Sequence, residues 1–381
     1  MDFRWSDEQA AMRKSIVEFA KANLNEGHIE RERCGEFNRK GWKQCADMGI
    51  HGLPVPEEYG GTARDALTTI GLLESLGYGC KDNGLVFSIN AHMWTLEIPL
   101  LHFGTDEQKS RYLPRLSRGD LIGANAMTEP NAGSDAYSIE TTADKRGDRY
   151  VLNGSKVFVT NGPIADIFIV YATVDRSKGP NGVSAFLVER GFGGLSFGKD
   201  MQKMGLRTSP MCELFFDNCE VPEQNRLGRE GAGKNLFSDS MTWERSCILA
   251  SAVGAMQRIL ESCVRHAKTR RESGQPIGKN QIIASKIVDM KMRLETSRSL
   301  LYQAGWLRSE GRSIFLEAAL AKLHISDSWV ETARDAVQIF GDYGYLTEYE
   351  IEREFRDALA SRIYSGTSQI QRLIIASLLG L

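Results

Sequence analysis

Apolar residues recur at helical spacing toward both ends of this chain, and β-branched and aromatic runs broken by turn residues fill its middle. That pattern predicts helices, then strands, then helices. Ser6 stands as an N-cap ahead of two acids, and Met12, Ile16 and Phe19 follow on one face. A helix is expected over Ala66–Leu76, followed by an apolar segment, Leu85 to Phe103, that contains His92 and His102. Another starts at the N-cap Thr105, before Asp106 and Glu107, and ends near Ser117.

From about residue 119 the chain reads as β structure. Tyr150–Thr160 is expected as two short strands joined by Asn153–Gly154, a type I′ hairpin signal. Ile167–Val174, Gly182–Glu189 and Cys212–Val221 follow as strands. Helical spacing then returns. Asn235–Arg270 is expected as one helix of roughly 50 Å at 1.5 Å per residue, followed by Gln281–Ser309, Ile314–Phe340 and a last helix from about Gln369. The fold class is therefore α+β and multi-domain. Residues 1–118 form a helical domain, 119–227 a middle antiparallel β domain (sandwich or barrel), and 228–381 a C-terminal four-helix bundle.

Composition narrows the function classes. A chain of 381 residues exceeds one ordinary core, since domains run ~100–200 residues. Basic and acidic side chains number 47 and 49, so no excess of cations argues for nucleic acid or an anionic membrane. The N-terminus has no apolar leader, and no stretch reaches the ~18 apolar residues needed to span a bilayer. The seven cysteines are scattered without C-x-x-C spacing, which is expected of reduced thiols in a cytoplasmic protein.

The histidines have no metal-ligand spacing, so no metal is expected. G-x-S-x-G is absent. Gly228–Asn235 approaches a P-loop, but Asn235 stands where Ser or Thr must hold magnesium, so the glycines are read as a turn into the long helix. Glu244 is different. It shares a helical stripe with Phe237, Met241 and Ile248. Periodicity leaves two readings open, a carboxylate paired with a neighbouring cation or a proton abstractor whose pKa burial raises. Ala126–Asp135 is a polar, glycine-containing loop whose N–H groups and hydroxyls (Thr128, Ser134) suit a phosphate or a ring edge.

Taken together, AMTEPNAGSD (126–135), GDRYVLNGSKVFVTNGPIAD (147–166), KMGLRTSP (203–210), AVQIFGDYGY (336–345) and IYSGTSQIQR (363–372) resemble the acyl-CoA dehydrogenase family, in one frame from Phe3 to Leu379. The resemblance implies that family's three-domain fold and FAD between the β domain and the C-terminal helices. Met127, Thr128 and Ser134 would contact the flavin, Phe158 would stand beside its ring, and Thr160 would bond near N5. A second subunit's Arg270, Gln281 and Gln338 would reach the adenosine diphosphate, with Thr367 and Gln369 in the same surround. The chain would then be a dimer or a dimer of dimers. Ser273 departs from the usual R-x-x-F-G and removes an aromatic contact on the dinucleotide. Ser365 departs from Y-E-G-T, where many relatives carry the catalytic Glu. Members without it place the base in a W-E-R pattern, here Trp243–Glu244–Arg245. The resemblance thus makes Glu244 the base that takes the α proton while the β hydrogen leaves as hydride to the flavin. The acyl pocket would involve Phe87, Met93, Trp94, Tyr364, Ser365 and Arg245.

Within the family, DNGLVF (82–87), NGPIADIF (161–168), SMTWERSC (240–247) and RIYSGTSQIQ (362–371) look closest to enzymes acting on carrier-tethered acyl or aminoacyl groups, including prolyl-carrier-protein dehydrogenases. Those prolyl enzymes tend to carry cysteines where this chain has Gly205 and Ser209, which leaves the acyl group open. The alternatives are a catabolic dehydrogenase of short or branched acyl-CoA, and a flavoprotein that uses oxygen or serves as a structural partner. The expected electron acceptor is an electron-transfer flavoprotein or oxygen.

Overall fold

The computed structural model describes residues 5–381, so Phe3, where the resemblance begins, lies outside the described residues. Helix Asp7–Asn23 starts at a capping box in which Ser6 Oγ accepts from the Gln9 N–H and the Ser6 N–H donates to the Gln9 side chain. Thr105 and Gln108 repeat the device ahead of helix Asp106–Ser117. Asn83–His92, a π-helical turn at Met93–Glu97 and Ile98–Phe103 make one nearly continuous rod. Helix Ala66–Gly79 is buried almost all round, Glu74 included.

The middle of the chain forms one sheet of eight strands: β1 (Gly123–Ala126), β2 (Thr142–Arg146), β3 (Arg149–Thr160), β4 (Ile167–Thr173), β5 (Val183–Glu189), β6 (Leu195–Phe197), β7 (Met211–Pro222) and β8 (Arg226–Leu227). Their order is β6-β7-β3-β2-β4-β5-β8, with β1 also beside β4. Most pairs are antiparallel, while β1 and β2 run parallel to β4. The expected hairpin at Asn153–Gly154 is not there. β3 runs straight through, with a bulge between Leu152 and Gly154 against β7, and Asn153 Oδ1 accepts from the Asn218 N–H across the strands. The turn lies earlier, between paired Arg146 and Arg149, where Gly147 takes φ 62°.

The expected single helix Asn235–Arg270 is two, Gly233–Cys247 and Ala250–Thr269, joined at Ile248–Leu249. Ser246 and Ser251 hydroxyls bond the carbonyls of Thr242 and Ile248 on either side of the joint and compete with the backbone ladder there. The second half packs closely on Ala66–Gly79. A Cβ added at Gly254 would lie 2.0 Å from the Glu74 carbonyl oxygen, and one at Gly77 would lie 2.1 Å from that of Ser251. Only glycine allows this approach, and it locks the helical run carrying Glu244 against the N-terminal helices. The most apolar window of this run is 67% buried within the protein, the position of a core helix. Gln281–Ser309, Phe315–Phe340, Ile351–Ala360 and Ser368–Leu378 complete the bundle.

Candidate active site

Glu244 is 7% exposed, on the buried stripe it shares with Met241 and Ile248. Its Oε1 accepts the Ser365 hydroxyl at 2.5 Å. Its Oε2 is buried and takes no hydrogen bond among the described residues. Burial raises the Glu244 pKa, opposed by the Ser365 bond and by the charges of Arg245 and Lys322. Ser365 occupies a tight left-handed turn, at φ 57° with Gly366 at φ 84°. Arg245 Nε donates to the Ser365 carbonyl at 3.0 Å, and Gln371 Nε2 donates to the carbonyls of Ser365 and Gly366 at 3.2 and 2.9 Å. The last turn of helix Gly233–Cys247, the first turn of Ser368–Leu378 and the strained turn before it therefore fix one carboxylate with one oxygen left unbonded.

Around it the walls are aromatic. Phe87 and Tyr364 pack at 4.7 Å between ring centres. Trp94 stacks on Trp243 at 5.8 Å, and the Arg308 guanidinium lies 3.3 Å from the Trp243 ring centre. Met93 is buried beside Trp94 in the π-helical turn.

The polar loop after β1 meets β3 directly. The Thr128 carbonyl accepts from the Val157 N–H at 2.9 Å, and the carbonyl of buried Met127 accepts from Lys156 Nζ at 3.1 Å. Lys156 also pairs with Glu129 at 2.6 Å, with both side chains buried. Glu129 in turn accepts the N–H groups of Glu140 and Thr141, closing the loop on itself. Next to this clamp, Phe158 stands at φ 56° on a second bulge of β3, 62% exposed between buried Val157 and Val159. An exposed aromatic ring held in strained backbone, flanked by Thr128 and Thr160, fits a planar ligand lying against it. Ser134 is exposed on the same loop.

All three domains of the acyl-CoA dehydrogenase family match the chain: the N-terminal domain over residues 6–120, the middle domain over 124–219 and the C-terminal domain over 231–380. The chain belongs to the acyl-CoA dehydrogenase family. An L-prolyl-[peptidyl-carrier protein] dehydrogenase of Pseudomonas fluorescens is 43% identical over 377 residues, covering 99% of both chains. An acyl-CoA dehydrogenase of Bacillus subtilis is 42% identical over 374 residues, covering 98% of both. Among solved structures, the prolyl acyl carrier protein oxidase AnaB is 50% identical with a TM-score of 0.98, over 99% of this chain and 100% of that one. PigA with FAD and proline is 41% identical, also at 0.98, over the whole of both chains.

The residues that the acyl-CoA dehydrogenase resemblance assigns to a second subunit form a separate group. Arg270 closes helix Ala250–Thr269, 5.4 Å from the Tyr343 ring centre. Gln281 opens the next helix, and exposed Gln338 lies two residues before Phe340, which stacks on His266 at 4.2 Å. No hydrogen bond or ring contact among the described residues ties this group to Met127 or Phe158. Ser273 sits between them at φ 49°, in the turn joining Arg271–Glu272 to Gln275–Pro276. Thr367 caps the last helix by accepting the Ile370 N–H, and Gln369 is exposed in its first turn.

Other residues escaped the sequence reading. Lys322 is buried, its Nζ donates to no hydrogen-bond partner among the described residues, and it lies 5.9 Å from the Tyr364 ring centre. Burial and the Arg245 charge bring its pKa down to about 8. Its signal was present in the sequence: it occupies the stripe of buried Ile325 and Trp329. Tyr171 keeps a buried hydroxyl with no hydrogen-bond partner among the described residues, with its ring 5.5 Å from Phe237.

Proposed function

We propose that this chain is an FAD-dependent α,β-dehydrogenase of an acyl or aminoacyl thioester carried on a carrier protein, with Glu244 as the base. One observation carries the reading. Glu244 is a buried carboxylate with one oxygen held by Ser365 and the other free. Such a group is oriented, desolvated and open to a proton. Met127, Thr128, Ser134, Phe158 and Thr160 would hold the flavin, with Thr367 and Gln369 nearby. FAD, when bound, supplies the acceptor for two electrons and the β hydrogen. The rest falls to side chains of this chain. Glu244 Oε2 takes the α proton, and the Ser365 hydroxyl keeps the carboxylate ionised and aimed. The Ser365 N–H, in its left-handed turn, is the donor we assign to the thioester carbonyl as charge develops there. Phe87, Trp94 and Tyr364 exclude water from the acyl group.

The carrier-linked substrate is supported by the prolyl-carrier relatives and by AnaB and PigA. A second reading, oxidation of an acyl-CoA, is favoured by the equally similar Bacillus acyl-CoA dehydrogenase. Anaerobic bleaching of the bound flavin, with one set of acyl groups offered both as CoA thioesters and loaded on a carrier protein, separates them. Fast bleaching only from the carrier supports the first reading. Fast bleaching from CoA thioesters replaces it with the second. Glu244→Gln should keep FAD and lose about 10²–10⁴-fold in the reduction rate; unchanged turnover removes Glu244 from the mechanism.

A further inference from the structure

A cavity of about 20 Å³ lies at the meeting point of Phe87, Leu206, Ile248, Ala252, Trp329 and Tyr364. Ile248 and Ala252 follow Glu244 by four and eight residues along the same run, and Tyr364 adjoins Ser365. The cavity therefore lies one helical turn beyond Glu244, behind the Phe87–Tyr364 ring pair of the site. It holds about one water molecule, which needs ~10–15 Å³.

Leu206 alone among these six comes from the middle domain, on the loop between β6 and β7. It is 4% exposed and sits at φ 49°, a conformation a leucine rarely adopts. The surroundings impose it. Its N–H donates to Asp357 Oδ1 at 2.6 Å, and its carbonyl accepts from Lys203 Nζ at 2.7 Å. Before it, a Cβ on Gly205 would meet the Arg356 carbonyl oxygen at 2.4 Å. After it, Thr208 bonds Asp82, the N-cap of helix Asn83–His92, and Ser209 bonds Ser88 on that helix. The loop is clamped on both sides of one strained, apolar side chain that closes a pocket, and strain of this kind marks a functional position.

We propose that Leu206 is the stop at the blind end of the acyl pocket, limiting the substrate to short or small cyclic acyl groups. This rests on the dehydrogenase reading above. A longer chain has to displace the leucine, and the clamp leaves it nowhere to go.

The test compares kcat/KM for butyryl and octanoyl thioesters in the FAD-loaded enzyme and in Leu206→Ala and Leu206→Gly. Glycine suits the positive φ, so Leu206→Gly keeps the test available where Leu206→Ala loosens the loop. The expected result is a rise of about tenfold or more in the octanoyl-to-butyryl ratio, the size of effect that one or two methylenes have in an apolar pocket. An unchanged ratio, with both values falling together, overturns the proposal. If the unaltered enzyme reduces its flavin with no thioester of either length, on CoA or on a carrier, the dehydrogenase reading fails and the stop fails with it.

Discussion

Ser365 donates its hydroxyl hydrogen to Glu244 across 2.5 Å, so the side chain at the position where the resemblance places many relatives' base here bonds the carboxylate proposed as the base. A donor to a carboxylate favours the ionised form, against the burial that raises the Glu244 pKa. Ser365→Ala removes that donor. A hydrogen bond to a charged group is worth about 1.5–3 kcal/mol, and about 1.4 kcal/mol corresponds to one pH unit. The ionised base is the active form, so the rate of flavin reduction rises with pH through this pKa. In Ser365→Ala the acidic limb of that profile should move up by about one to two pH units. Stopped-flow reduction across pH measures it, and an unmoved limb means that Ser365 does not set the base.

Much of this site was legible in one dimension because it rests on periodicity and short ordered motifs. Glu244 lies on an apolar stripe, and a carboxylate there is visible without coordinates. The order of helices, sheet and helices was equally readable. The failures have two causes, long-range contacts that override a local signal and local side-chain bonds that spacing does not show. Asn153–Gly154 has hairpin chemistry, but cross-strand pairing with β7 carries the strand through it as a bulge. The long C-terminal run has unbroken helical spacing, yet serine hydroxyls interrupt its ladder at Ile248–Leu249. Leu206 had no readable signal, because a loop residue reveals its role only when Asp357, from far along the chain, holds its N–H.

The buried pair Lys156–Glu129 ties the loop after β1 to β3, the two segments proposed to hold FAD, so its loss should loosen both. Glu129→Gln keeps the shape but leaves the Lys156 ammonium buried beside the Met127 carbonyl without a counter-charge. Breaking such a pair costs about 3–5 kcal/mol. Urea unfolding should show a loss of that order, together with faster FAD release on dilution. Adding Lys156→Met should recover part of the stability, since the uncompensated charge is then gone. If Glu129→Gln unfolds at the same urea concentration as the parent, the pair is not what holds the loops.

Stability toward acid should depend on Glu350. Burial alone would raise its pKa, but bonds from His28 at 2.6 Å and Lys81 at 2.9 Å hold it down to about 2. A depressed carboxylate pKa gives stability that is present above its unfolded value, near ~4.3, and lost as pH falls through about 2. Over that window the unfolding free energy should fall with acid, and Glu350→Gln should flatten the slope. The Gln variant should also be less stable at neutral pH, because His28 and Lys81 lose their shared anion. Identical acid profiles for the two chains would assign the slope to other groups.

A composite cofactor site can be tested by mixing subunits. If Arg270 of one copy completes the site that contains Glu244 of the other, Glu244→Gln and Arg270→Ala each inactivate a homodimer for a different reason. In a mixed dimer the two lesions fall together in one site, and the other site is intact. Co-refolding or subunit exchange between the two inactive chains should therefore restore substantial activity. With both substitutions on one chain, mixing with itself should restore none. If the site is built from a single copy, every site in the mixture keeps one lesion and no activity returns. Arg270 closes its helix at the surface beside Tyr343, away from the contacts that hold Phe158 and Thr128, and that placement is the one a trans contribution requires.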